Sequence, residues 1–315
     1  LVTPRSILVI KPSSLGDIVH TLPAVASVKR QWPQARLSWL VNPEWAPLLR
    51  ENPYVNDVIE FPRKQLGGLF GWLRFPRWMR ALRERTQPDL VLDFQGLFRS
   101  ALIARRAGGE SWGTSDSREG ASLLHHRVVP VPPRSAPVHA ITRYLALATA
   151  LGCDTSTLEW PLPAGSAPAG VPERFVVLHP FARGVGKSLT VAEVVEICRA
   201  LAPIPVVVVG SGDVTFPALG NLVNLLGRTT LPELCWLLRR AEFVASVDSG
   251  PAHLAAALNE RLLAIHTWSD PRKVGPFQPR AWVWKDGRIG RMADFPSAEP
   301  CERATLGAWL KTQLG

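Results

Sequence analysis

The chain lacks any apolar run near the ~20 residues that a bilayer-spanning helix needs. Ile7 to Ile10, Phe175 to Leu178 and Val206 to Val209 are each only four residues long, which excludes a helical membrane protein. The opening Leu-Val-Thr-Pro-Arg-Ser has no apolar stretch running into a small-residue cleavage site, so no secretory leader is read and a cytoplasmic setting is expected. Cysteine is scarce. Cys153, Cys198, Cys235 and Cys301 are scattered, with no Cys-x-x-Cys and no paired histidine spacing, a pattern of free buried thiols rather than of zinc. Short-period repeats and low-complexity tracts are missing as well. Acidic residues are in the minority: 26 Asp and Glu against 36 Lys and Arg leave a formal charge of +10. Such a surface attracts nucleotide phosphates, nucleic acid or an anionic membrane, and charge alone does not choose among them.

With 315 residues, the chain exceeds the ~250–300 residues at which single cores stop growing, so two domains are expected. Ile7 to Ile10 reads as a strand that passes through a loop into a helix from Ile18 to Trp32. Further strands are expected at Leu37 to Val41, Val55 to Phe61 and Leu90 to Phe94, and helices around Pro76 to Arg85 and Leu97 to Arg106. Val128 to Val131 is a last strand before a helix from about Ala140. Pro161 to Pro172, rich in Pro, Ala, Gly and Ser, has the composition of a linker. The rhythm then restarts, with strands at Phe175 to His179, Val206 to Gly210, Val223 to Leu225, Phe243 to Val247 and Leu262 to His266. Helices at Val191 to Leu201, Leu231 to Arg240 and Pro251 to Leu258 are interleaved with them. Strands alternating with helices indicate parallel sheets. The expectation is an α/β protein with a first domain over 1–160, a linker over 161–172 and a second domain over 173–296. A C-terminal helix over 297–315 is assigned to neither sheet and is left free to pack back on the first domain.

The loop Ser13, Ser14, Leu15, Gly16, Asp17 lies where an open parallel sheet binds ligands, beyond the carboxyl end of its first strand and at a helix N-terminus. Asp17 reads either as an ordinary helix N-terminal charge or as a general base for an acceptor hydroxyl, with Gly16 allowing close backbone approach. In the second half, Asp248, Ser249 and Gly250 end a strand and Pro251 opens a helix, with His253 on its first turn. That is either a well-capped helix or a phosphate site built on exposed amides. Arg183 to Ser188 resembles a P-loop superficially, but Phe181 stands where its first glycine is required. What remains is Lys187 on a glycine-rich loop, a solvated lysine or a neutraliser of departing diphosphate. Gly210 and Asp213 follow another strand, a weak signal for the nucleoside end of a ligand. Gln95 and Arg99, after Asp93, are candidates for the acceptor side, with Arg63 and Lys64 beside them.

Arg63 to Arg85 interleaves arginine with Phe70, Trp72, Phe75 and Trp78. A solvated helical face is the ordinary reading, and contact with anionic lipid headgroups the functional one. Nucleic acid is the minority reading, and no nucleic-acid partner is expected.

Three stretches carry a resemblance: Lys11-Pro-Ser-Ser-Leu-Gly-Asp-Ile-Val-His-Thr-Leu-Pro23, Asp93-Phe-Gln-Gly-Leu97 with Arg99 and Ser100, and Val247-Asp-Ser-Gly250 with His253 to Ala257. Together they resemble the bacterial heptosyltransferases of lipopolysaccharide core synthesis, inverting GT-B enzymes that use ADP-heptose, over nearly the whole chain. The resemblance implies two Rossmann-like domains with parallel sheets facing a central cleft, and Asp17 as general base. It also implies that Lys187 contacts the diphosphate and that Asp248, Ser249, Gly250 and His253 close around ADP. No cofactor is required on this reading, and no magnesium site is visible. The resemblance implies an anionic lipid-linked sugar as acceptor, met at the inner face of the inner membrane through a peripheral contact. Three positions depart from the family pattern: Ser249 for Thr, Leu189 for the Trp of Lys-x-Trp, and His266-Thr-Trp-Ser-Asp-Pro271 for Gly-Pro-Thr-x-Pro. The rival readings are a paralogue that only binds a nucleotide sugar or uses another donor, and a GT-B-like sugar-nucleotide epimerase.

Overall fold

A computed structural model describes residues 3–67 and 71–315, with the side chains at 72 and 296 left aside. Leu1, Val2, Phe70 and the Trp72 side chain therefore lie outside the described residues. The chain divides into two units, Leu1–Pro163 and Ala164–Gly315.

The first unit runs β1 (Ser6–Ile10), α1 (Leu15–Gln31), β2 (Arg36–Val41), β3 (Asp57–Glu60), α2 (Gly71–Thr86), β4 (Leu90–Asp93), α3 (Phe98–Arg106), β5 (Glu110–Thr114), β6 (Arg127–Val129) and α4 (Ala140–Ala150). Its six strands are all parallel, in the order β3-β2-β1-β4-β5-β6. The continuous apolar sequence of β1 follows from burial on both faces. Ile7 and Val9 pack toward Ile18, Leu22 and Leu147 of α1 and α4, while Leu8 and Ile10 pack toward Met79, Leu82 and Ile103 of α2 and α3. Fully burying each such side chain contributes ~1.5–3 kcal/mol. The fifth strand, Glu-Ser-Trp-Gly-Thr, has no counterpart among the strands expected from sequence. It lacks an apolar run, and tertiary burial of Ser111, Trp112 and Gly113 between two neighbours holds it in the sheet.

The second unit runs β7 (Val176–His179), α5 (Val191–Leu201), β8 (Val206–Val208), β9 (Leu222–Asn224), α6 (Leu231–Arg240), β10 (Phe243–Val247), α7 (Gly250–Leu258), β11 (Leu262–His266), α8 (Pro271–Val274), β12 (Trp282–Lys285), β13 (Arg288–Arg291), β14 (Glu299–Pro300) and α9 (Leu306–Thr312). From β9 through β8, β7, β10 and β11 to β12 the pairing is parallel, the same order as in the first unit. Strands β13 and β14 then add antiparallel to the edge, so this sheet is mixed rather than all-parallel. Asp286 and Gly287, with φ of 51° and 75°, make the tight two-residue turn that antiparallel pairing needs. Helix α9 buries Leu306 and Leu310 in the core that also holds Ile197 and Leu201 of α5.

Candidate functional site

In both sheets the strand order reverses beside the first strand of the unit, between β1 and β4 and between β7 and β10. The loops leaving those carboxyl ends diverge there and open a crevice, the position where open α/β sheets bind ligands.

In the first unit that crevice holds Asp17. Its Oδ2 accepts hydrogen bonds from the Ser14 backbone N–H at 3.1 Å and from the Ser14 hydroxyl at 2.8 Å. Its Oδ1 accepts from the Tyr144 hydroxyl at 3.2 Å and lies 3.8 Å from the Lys11 ammonium. The carboxylate is thus both a helix N-terminal group and a member of a polar cluster, with its side chain still 41% exposed. Burial acts to raise its pKa, but the Lys11 charge with the Ser14 and Tyr144 donors outweighs that and holds the group below the usual aspartate value. Lys11 itself is buried, its ammonium bonded to the Phe94 carbonyl at 3.0 Å and to the Tyr144 hydroxyl at 2.9 Å. Burial lowers its pKa against the opposing charges of Asp17 and Asp93. Ser13 turns its backbone N–H toward Gln95 Oε1 at 3.4 Å, Ser14 is exposed, and Gly16 is buried in the first turn of α1.

Asp93 is fully buried and organises the turn after β4. Its Oδ1 accepts from the N–H groups of Gln95 and Gly96, its Oδ2 accepts from the Ser100 hydroxyl at 2.8 Å, and His125 Nε2 lies 3.4 Å away. Gln95, Arg99 and Arg63 line one cavity of about 270 Å³ with Ser13, Phe61 and Glu119. Lys64 is exposed and is not part of that lining. In α2 the aromatic and basic residues part company. Phe75 and Trp78 pack toward Phe61 and the core, whereas Arg74, Arg77 and Arg80 are exposed. Interleaving along the sequence has become two faces of one helix.

In the second unit the crevice gathers side chains from three strand ends. Asp248 accepts a hydrogen bond from the Ser269 hydroxyl, and that hydroxyl also meets His266 Nδ1 at 2.8 Å. Since the serine proton goes to the carboxylate, the imidazole donates from Nδ1. His253 Nε2 stands 4.0 Å from the other Asp248 oxygen. His179, at the end of β7, has Nδ1 3.2 Å from both the Ser246 and the Ser249 hydroxyls. The backbone at Gly210 (φ +132°) runs so close to its ring that a Cβ there would sit 3.0 Å from Cδ2. Burial lowers the pKa of His179 to about 4 and that of His266 likewise to about 4, the latter against the Asp248 charge. Ser249 is the N-cap of α7, but its hydroxyl is turned to His179 and the Val247 carbonyl and caps no amide. The helix N-terminus is therefore not closed by its own serine.

Lys187 comes from the loop between β7 and α5, and its ammonium lies 3.6 Å from the centroid of the Trp268 ring, on the loop after β11. Leu189 is buried in the core beside Val194 and Leu178. Asp213 is exposed on the loop after β8. The structure thus gathers Asp248, Ser249, Gly250, His253 and Gly210 around His179 and Ser269, and joins Lys187 to Trp268. Among the described residues there is no group of three or more His, Cys, Asp or Glu able to hold a metal ion.

Lys11, Tyr144, His179, His266 and Ser269 have no role among the sequence expectations. The two histidines carried a usable signal, since both end strands that were read from the sequence. Tyr144 carried none: it sits on an apolar helix 127 residues from the carboxylate it touches, and only the packing of α4 on α1 brings it there.

Residues 215–303 match the family model for glycosyltransferase family 9 (heptosyltransferase). The lipopolysaccharide core heptosyltransferase OpsX of Haemophilus influenzae is 23% identical over 87% of this chain and 82% of its own length. Lipopolysaccharide heptosyltransferase 1 of Salmonella typhimurium is 28% identical over 86% and 91% respectively. The solved structure of the E. coli heptosyltransferase WaaC with ADP superposes with a TM-score of 0.76 at 22% identity, covering 97% of this chain and 99% of that one.

Proposed function

From a second unit that carries a glycosyltransferase family 9 (heptosyltransferase) domain, we propose that this glycosyltransferase moves heptose from ADP-heptose, with inversion, to a lipid-linked sugar of the lipopolysaccharide core. The observation that carries the reading is the pairing of two switch-point sites in one chain: an ionised aspartate in the first unit, and a helix N-terminus left open by its own cap residue in the second.

Asp17 takes the proton of the acceptor hydroxyl as that oxygen attacks the anomeric carbon. The bond from that carbon to the diphosphate oxygen breaks on the opposite face, and ADP leaves with the electron pair. The amides opening α7 and the Lys187 ammonium stabilise the charge that gathers on the diphosphate. Gly210 and Asp213 border the nucleoside end. Arg63, Gln95 and Arg99 hold the anionic acceptor in the cavity of the first unit. The exposed arginines of α2 attach the enzyme peripherally to an anionic leaflet; among the described residues no helix is long and apolar enough to cross a membrane.

Asp17→Asn keeps ADP binding and lowers turnover by ~10²–10⁴-fold, measured as heptose transfer beside calorimetric ADP affinity. Wild-type turnover in that variant removes Asp17 from the chemistry. Replacing Arg74, Arg77 and Arg80 by Ser weakens binding to anionic liposomes and flattens its salt dependence; intact binding would discard the membrane role. The relatives are named for heptose transfer, which leaves the epimerase reading without support, and a donor-only incubation tests it directly.

A further inference from the structure

We infer that Tyr144, held by Lys11, is a positioning residue that orients the Asp17 carboxylate and leaves it one open acceptor position for the incoming hydroxyl. The inference rests on Asp17 being the base.

Hydrogen-bond direction fixes the chain of contacts. An ammonium only donates, so the Tyr144 oxygen accepts from Lys11 at 2.9 Å. The single phenolic proton is then free to go to Asp17 Oδ1, 3.2 Å away. Lys11 is locked in turn by the Phe94 carbonyl at 3.0 Å, and its own carbonyl accepts from the Trp39 indole N–H at 3.3 Å. A carboxylate offers about four acceptor positions. Two donors from Ser14 and one from Tyr144 occupy three of them. One remains on a side chain that is 41% exposed, enough to receive a proton from outside.

The ordering comes from three separate elements: the end of β1, the first turn of α1, and α4. Helix α1 also carries His20, Lys29 and Arg30 and α4 carries Arg143, and His139 at the start of α4 packs its ring edge to face on that of His20 at 5.1 Å. Asp93, Arg118 and Arg134 act on Lys11, the first raising its pKa and the two arginines lowering it, and Asp116 acts on Tyr144. All of these stay in place in the variants below, so a change in Asp17 titration reports on Tyr144 and Lys11 alone.

The test is the NMR titration of the Asp17 carboxyl in aspartate-labelled protein, assigned with Asp17→Asn, beside the pH profile of kcat/KM for ADP-heptose. Tyr144→Phe keeps the ring and removes the donor. It raises the Asp17 titration midpoint and the acidic limb of the profile together, by about half a pH unit or more, while KM for the donor stays within about twofold. The double variant Lys11→Met with Tyr144→Phe removes ammonium and phenol together, so neither is left facing an apolar replacement of the other, at the cost of the Phe94 carbonyl's donor, and it moves both further in the same direction. A tyrosine that only filled space would lower Tm and leave the titration where it was. Coincident Asp17 titrations in wild type and Tyr144→Phe overturn the inference. Wild-type turnover in Asp17→Asn overturns the base assignment instead, because the titration needs no substrate.

Discussion

The Lys187 ammonium rests 3.6 Å from the Trp268 ring centroid, a cation–π contact that holds its direction. Trp268 is 60% exposed, where such a contact contributes ~0.5–1 kcal/mol. Trp268→Ala therefore weakens ADP about two- to fivefold by calorimetry, and Trp268→Phe recovers most of the loss; unchanged affinity in the alanine variant would mean that Lys187 is placed by its own loop. The buried histidines predict a pH dependence at the same scale. His179 and His266 are lowered to about 4 from ~6.5 in an unfolded chain. Between those values the unfolded state takes up protons that the folded state refuses. Stability is thus full above ~6.5 and declines as pH falls toward 4, by up to ~1.4 kcal/mol per pH unit for each ring. Urea midpoints at pH 7.5 and pH 5 measure it. His266→Gln flattens the decline, and equal midpoints in the wild type contradict neutral buried imidazoles.

At the scale of elements, α9 depends on a glycine. A Cβ on Gly307 would lie 2.9 Å from the Ala200 Cβ and 3.0 Å from the Ile197 Cα of α5, so the two helix backbones meet in close contact. Gly307→Ala pushes them apart and costs ~1–3 kcal/mol, read as a lower Tm with ADP affinity preserved if α9 is purely structural. Helices α5 and α6 each start with a Thr-x-x-Glu box in which side chain and backbone satisfy each other, Thr190 with Glu193 and Thr230 with Glu233. Such a box is a sequence signature of a helix start. The edge hairpin was not read, although Asp286-Gly287 between Trp282–Lys285 and Arg288–Arg291 is a strong local sign of one. Strand β5 offered no such sign, because its place is created by its neighbours.

At the scale of the molecule, two sheets share one strand order, and each puts a polar cluster where that order reverses. If ADP binds the second unit alone, saturating it at about 100 times Kd adds ~2.7 kcal/mol to folding of that unit. Hydrogen exchange then slows in the segments 179–188 and 246–270 and stays unchanged over 36–41 and 57–60. Protection appearing only in the first unit would reverse the assignment of donor and acceptor.

The sequence by itself determined the two-part α/β plan, because strand–helix alternation is a local signal. It also located Asp17 and Asp248, since loops between a parallel strand and its helix sit at the carboxyl edge wherever they fall in the chain. Only tertiary structure decided what surrounds them. Tyr144 reaches Asp17 through the packing of α4 on α1, and Ser269 and His266 reach Asp248 because β11 lies beside β10. Periodicity records which face of an element is buried. It holds no record of which distant side chain arrives there, and the hydrogen bonds that set a carboxylate's proton affinity are made by those arrivals.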